Sequence, residues 1–203
     1  MSRQHITDMK NAVQGYFTKA VQAAAQAQKN TDMYRADVAE AENAKLRDAL
    51  QAARWEAEAA IREAQDAGRA DAERWGKLSG AEMTDDAKLL QMDLSSDQFA
   101  DLVARYKDNG TMTTLLAQYA ERKNKETAAA DPLNLGRYDM SIIPTADKKA
   151  DAYDKFAMGA LDLIARVDQN NMFGGGVNSP MLKASIEQFG EPNAFTAGLF
   201  ELI

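Results

Sequence analysis
Apolar and small residues recur along the start of the chain at Ile6, Met9, Val13, Tyr16, Ala20, Ala23 and Ala27. The intervals alternate three and four, which is the seam of a helix with a heptad-spaced apolar face. Phe17, Val21 and Ala24 widen that face. Asn30, Tyr34 and Asp37 then interrupt it, and a second seam runs through Leu46, Leu50, Ala53, Ala57, Ala60, Ala64 and Ala67 in an offset register. From Ser2 to Trp75 there is no proline, only Gly15 and Gly68 intervene, and straight-chain helix formers fill most of the remainder. The pattern predicts one very long coiled-coil-like helix over residues 1–78, ~110 Å if straight at 1.5 Å per residue. A helix of that length must project or pair along its length. The offset of the seams places a bend, a change of partner or a short break between residues 28 and 45.

The run from Trp75 through Gly76 to Gly80 carries helix-stop signals. Residues 79–126 read as a short helix over Asp85–Met92 followed by a helical hairpin. Ser95 with Gln98 has the form of a capping box. It opens a helix with Phe99, Leu102, Val103 and Tyr106 on one face; Asn109-Gly110 turns the chain, and Met112, Leu115, Leu116 and Tyr119 mark the return helix. Residues 127–144 hold Pro132, Gly136 and Pro144, yet also Leu133, Tyr138, Ile142 and Ile143, so they read as an extended connector lying on a surface. Thr145 caps a helix within 145–172 that carries Tyr153, Phe156, Ala160, Ile164 and Val167 on one face. Residues 173–203 read as a glycine-rich joint, a short helix from Ser179-Pro180 to Gly190, and an apolar docking segment with Phe195, Leu199, Phe200 and Ile203 as anchors. The fold class expected is all-α and elongated.

Composition narrows the chemistry. Hydrophobic residues make up 45% of the 203, but aromatics only 7%, so close helix-on-helix contact is favoured over a deep core. The net charge of −7 with no basic block argues against a nucleic-acid partner, because Lys and Arg must neutralise phosphates. No stretch approaches the ~18 apolar residues that span a bilayer, and Met1–Asp8 lacks the apolar run of a signal peptide. Without cysteine, thiolate metal sites and cysteine nucleophiles are excluded. The one histidine, His5, rules out paired-histidine metal helices and reads as a surface residue. The glycines at 174–176 precede Val-Asn-Ser-Pro and not Gly-Lys-Ser, so no phosphate loop is written there. Asp147, Asp151 and Asp154 share a helix face, but Lys148, Lys149 and Lys155 surround them, which suits a solvated face. The sequence assigns no catalytic, cofactor-binding or metal-binding residue. Arg54, Glu58, Arg62 and Asp66 form a charge ladder at four-residue spacing. Trp55 lies off the seam; contact with another helix of the same subunit is the plainer reading, and a docking anchor the functional one.

The hairpin from Leu94 to Glu121, preceded by a long charged helix, resembles small helical proteins in the structural gene modules of tailed bacteriophages. The resemblance covers residues 1–126 and implies a virion or head-assembly role, such as a scaffold, capsid-associated or internal protein. It carries over no site residues. The expectation is a non-enzymatic phage structural protein that self-associates and binds other virion or assembly proteins through multivalent helical contacts, without nucleic acid or membrane. Its anchors would be Phe195, Leu199, Phe200, Ile203 and Trp55, and its place the virion or the host cytoplasm during assembly. The alternative is a cytoplasmic coiled-coil adaptor or chaperone.

Overall fold
In the computed structural model the described residues are 3–130, 137–172, 179–193 and 196–202, with 169–172 described by backbone alone. Among them the chain is α-helical and contains no strand. The first 78 residues are not one helix. They form α1 (Gln4–Met33) and α2 (Ala36–Trp75), parted at Tyr34, whose backbone is extended while its N–H still bonds Asn30 O at 3.0 Å. The break falls inside the expected window. Asp37 in the first turn of α2 faces the positive end of the helix dipole. After the break the chain reverses: Asn30 bonds Asn43 and Lys19 bonds Glu56, so α1 and α2 run antiparallel.

The chain divides into two compact units. The bundle unit comprises residues 2–68 and 153–201; the hairpin unit comprises residues 69–152 with the last residues of the chain. The compact units therefore part within α2 and within α5 (Ala146–Met172), not at the loops where the sequence suggested boundaries.

In the bundle unit α5 lies beside the α1–α2 pair. His5 meets the Tyr153 ring edge-on at 5.8 Å, and Gln65 bonds Asp154 at 2.7 Å. Further along, Tyr16 and Arg54 both bond Asp168, so α5 runs with α1 and against α2. His5 is therefore half-buried against a ring rather than a plain surface residue. Ile6, Met9, Val13, Tyr16 and Ala20 are all buried, as the heptad seam requires. The stripe on α2 differs from the sequence reading. After Ala57 it passes through Ile61, Ala64, Gly68 and Ala72, while Ala60 is exposed. With Leu46, Leu50 and Ala53 included, the spacing repeats every eleven residues. An α-helix drifts ~20° per heptad from a 3.5-residue repeat, and an eleven-residue repeat of about 3.67 per turn removes the left-handed supercoil a heptad would impose. Gly68 is not a weak point but a packing position: a Cβ there would stand 2.6 Å from the buried Tyr153 ring. α6 (Pro180–Gln188) packs on α1, with Leu182 and Ile186 buried. Pro180 stands at its first position as expected, although the Ser179 side chain makes no cap bond. Gly190 ends it with φ +76°, the left-handed conformation that glycine adopts freely.

The hairpin unit is built on α3 (Ser96–Tyr106) and α4 (Gly110–Ala130). The Ser95–Gln98 capping box is complete in both directions, at 3.2 and 2.9 Å. Asn109 caps α4 by accepting the Met112 N–H at 2.9 Å. A 3-10 turn, Asp85–Gln91, replaces the short helix expected there. Residues 137–144 double back onto the hairpin of their own chain: Tyr138 and Ile143 are buried, and the Tyr138 hydroxyl donates to Leu94 O at 2.6 Å. Residues 131–136 of the expected connector lie outside the described residues. Lys148 then pins the 3-10 turn Met140–Ile142 by donating to the carbonyls of Met140, Ser141 and Ile143, each at 2.8 Å.

Candidate interaction site on the helical arm
Asp168 is the last residue of α5 whose side chain is described, and it stands level with Tyr16 and Arg54. From there α1 and α2 continue as an antiparallel pair to Met33 and Ala36, and this stretch is the arm. On α1 its seam keeps the same rhythm but uses smaller residues. Ala23, Ala24 and Ala27 on α1 and Leu46 and Leu50 on α2 are only half-buried. Alanine covers little area, so a groove of about 420 Å³ opens between the two helices, lined by these residues with Asn43, Arg47 and Gln51. Phe17 and Val21, on the same flank of α1 as Ala24, are half-buried too.

Polar residues close both ends of the groove. At the base the Asp168 carboxylate accepts from the Tyr16 hydroxyl and the Arg54 guanidinium, and Arg54 Nε donates to Glu58 at 2.7 Å. Burial, and then the bond to Asp168, push the Tyr16 phenol well above its ordinary range. Tyr16 therefore keeps its proton at neutral pH, and Arg54 never releases one. Tyr16, Arg54, Glu58 and Asp168 thus bond one another across α1, α2 and α5. Near the tip, Asn30 is buried, donating to Asn43 at 3.0 Å and accepting from Gln26 at 2.9 Å. A satisfied polar pair within an apolar seam fixes the register of the two helices, because any slip would leave the buried Asn30 amide unpaired.

Beyond that pair the arm turns apolar outward. Met33, Tyr34 and Val38 are 74%, 48% and 44% exposed around the reversal. Glu40 and Arg47 pair across one face of α2 at 2.7 Å, and both are exposed.

The anchors named from the sequence do not gather at this site. Phe200, on α7 (Ala197–Leu202), is buried in its own chain, with its ring 5.0 Å from that of Phe156 and the Arg3 guanidinium 5.4 Å over it. The Phe200 ring named as an anchor thus lies against its own chain. Leu199 is half-buried on the same helix, and Phe195 and Ile203 lie outside the described residues. In the hairpin unit Lys149, itself buried, donates to the Leu202 carbonyl and sits 4.4 Å over the Trp75 ring. Its desolvation pushes the ammonium below the usual lysine range. Phe200 and Leu202 thus contact their own chain. Trp55 is 63% exposed on α2, so contact with another helix of its own chain is not where most of the ring goes. The glycine joint at 174–176 lies outside the described residues.

The charge ladder is present from Arg54 to Glu58 and from Glu58 to Arg62, at 2.7 and 3.7 Å. What its spacing hid is the second partner of Arg54, Asp168. Among the described residues no group of three or more His, Asp or Glu is placed to hold a metal ion, and no helix is long and apolar enough to cross a membrane. No protein-family model, curated protein or solved structure compared with the chain matches it.

Proposed function
We propose that this chain is a non-enzymatic structural protein of a tailed-phage particle, capsid-associated, internal or scaffold-like, and that it works by helix-on-helix contacts made through the α1–α2 arm. The observation that carries the reading is the arm itself: an apolar groove between two long helices, with Met33, Tyr34 and Val38 exposed beyond its polar end. Large exposed apolar patches mark interaction surfaces, whereas isolated exposed side chains do not. The polar residues beside the groove support an assembly role over chemistry, since Tyr16, Arg54 and Asp168 satisfy one another. The arm takes over the docking role expected of the C-terminal segment, because Phe200 is enclosed by its own chain.

Mass spectrometry of purified particles from the source phage or its induced host tests this reading. Tens to hundreds of copies in mature particles are expected for a permanent component, and presence only in immature particles for a scaffold. Absence from both would overturn the particle role and favour a cytoplasmic coiled-coil adaptor or chaperone.

A further inference from the structure
The arm carries two features of matching chemistry that no other described residue covers, a groove and an apolar tip. The groove is lined by Ala23, Ala24, Ala27, Leu46 and Leu50, and the tip exposes Met33, Tyr34 and Val38. The geometry points to a second copy of this chain as the occupant: two arms dock face to face and antiparallel, so that each tip covers the mouth of the other's groove.

Charge selects a second copy over an unrelated helix. From residue 17 to residue 53 the arm has five basic residues (Lys19, Lys29, Arg35, Lys45, Arg47) and five acidic ones (Asp32, Asp37, Glu40, Glu42, Asp48). It is neutral within a chain of net charge −7, so two arms meet without the repulsion that the rest of the chain would meet from a copy of itself. The groove flank of α1, with Phe17, Val21, Ala24, Gln28 and Thr31 at helical spacing, carries no charge. On α2, Arg47 lines the groove and Glu40, its ion-pair partner seven residues away, shares its face, with Ala44 between them. A two-fold axis near Ala44 sets each Glu40 opposite the second copy's Arg47, and the small side chain at 44 lets the helices approach. In that register Asn30 and Asn43 lie at the level of the axis, because they face each other within one arm. Val38, six residues from the axis, then reaches ~9 Å beyond it at 1.5 Å per residue, to the level of Leu50 and Ala24, and Met33, three residues past Asn30, to the level of Ala27. That is where the groove opens. The product is a short four-helix bundle, and an isologous contact of this kind closes on itself.

The dimer rests on the assembly reading and deepens it, but its test uses the purified full-length chain, so its failure leaves the particle result untouched. Sedimentation velocity over a concentration series is expected to show a monomer–dimer equilibrium. Glu40→Arg and Arg47→Glu each place like charges across the axis twice, and each is expected to raise the dimer dissociation constant at least tenfold. Circular dichroism should show both variants folded, since an exposed pair contributes little to stability. Mixing the two single variants in equal amounts should restore dimer, because the arginine introduced in one copy then faces the glutamate introduced in the other. Loss of the ion pair within each arm cannot be repaired by mixing, so this step reads the contact between copies alone. A wild-type chain that stays monomeric at every concentration would overturn the proposal. So would a dimer indifferent to both substitutions, or a mixture that remains monomeric.

Discussion

Replacing glycine by alanine should change stability in opposite directions at three positions of this chain. Gly15 is exposed in the middle of α1, and a Cβ there meets nothing within 4 Å. Gly15→Ala should therefore stabilise by ~0.5–1 kcal/mol, the helix-propensity difference. Gly110 begins α4 where the chain runs against the end of α2. A Cβ there would overlap the Trp75 carbonyl oxygen and stand 2.7 Å from its carbon. Backbone cannot swing aside as a side chain can, so α4 must move. That movement strains the Thr114 hydroxyl bond to Gly76 O at 3.0 Å and the Ser79 N–H bond to Thr111 Oγ1 at 2.9 Å. Overpacking costs ~1–3 kcal/mol and each weakened bond up to ~1 kcal/mol, against a small propensity gain at the first turn, so Gly110→Ala should lose ~2 kcal/mol or more. Gly68→Ala should also destabilise, because the buried Tyr153 ring stands 2.6 Å from the added methyl. Urea unfolding followed by Trp75 fluorescence, in a Trp55→Phe background, measures the hairpin-unit change, and circular dichroism the other two. Gly110→Ala as stable as Gly15→Ala would refute the close approach of α4 to α2.

Asn30→Leu should cost ~1–3 kcal/mol by leaving the half-buried Asn43 amide without its partner, and Asn30→Leu/Asn43→Leu should recover much of it; additive losses in a double-mutant cycle would contradict a coupled pair. Phe200→Ala should destabilise the chain by ~3 kcal/mol in thermal or urea unfolding, and an unchanged midpoint would mean that the tail is not docked in cis. Bonds from Tyr106 and then Arg105 hold the Asp86 carboxyl below its ordinary value of 3.8, and bonds from Ser141 do the same for Asp139. The folded forms of these groups release their protons more readily than the unfolded forms. Their contribution is therefore complete above pH 3.8 and lost as the pH falls through the folded values. Carboxyl-carbon NMR titration should give midpoints below 3.8 for both, and midpoints at or above it would remove this source of acid sensitivity.

Local signals carried far in this sequence. The heptad seam of α1, the capping box at Ser95 and the apolar face of α5 follow from spacing and cap chemistry alone. The reversal at Tyr34 could be confined to a window but not placed, because it uses no proline or glycine and shows only as an interrupted stripe. The shift from Ala60 to Ile61 escaped because every nearby candidate is alanine or flanked by it, and both choices satisfy a short window. Gly68 read as a helix interruption and Gly110 as part of a turn, whereas each is required by a neighbour distant in sequence. The same distance hid the base of the groove, where Arg54 and Asp168 are 114 residues apart. Apolarity at Phe200 announced that the ring would be buried, but nothing in a linear pattern says against which chain.

The most direct test of the arm as the working surface is the copy number of this chain in purified particles when Arg47→Glu is its only source. A fall of at least tenfold relative to wild type is expected, with helicity unchanged and with Gly15→Ala incorporated normally. Undiminished incorporation of Arg47→Glu would contradict the role given to the arm and return the search for a docking surface to the rest of the chain.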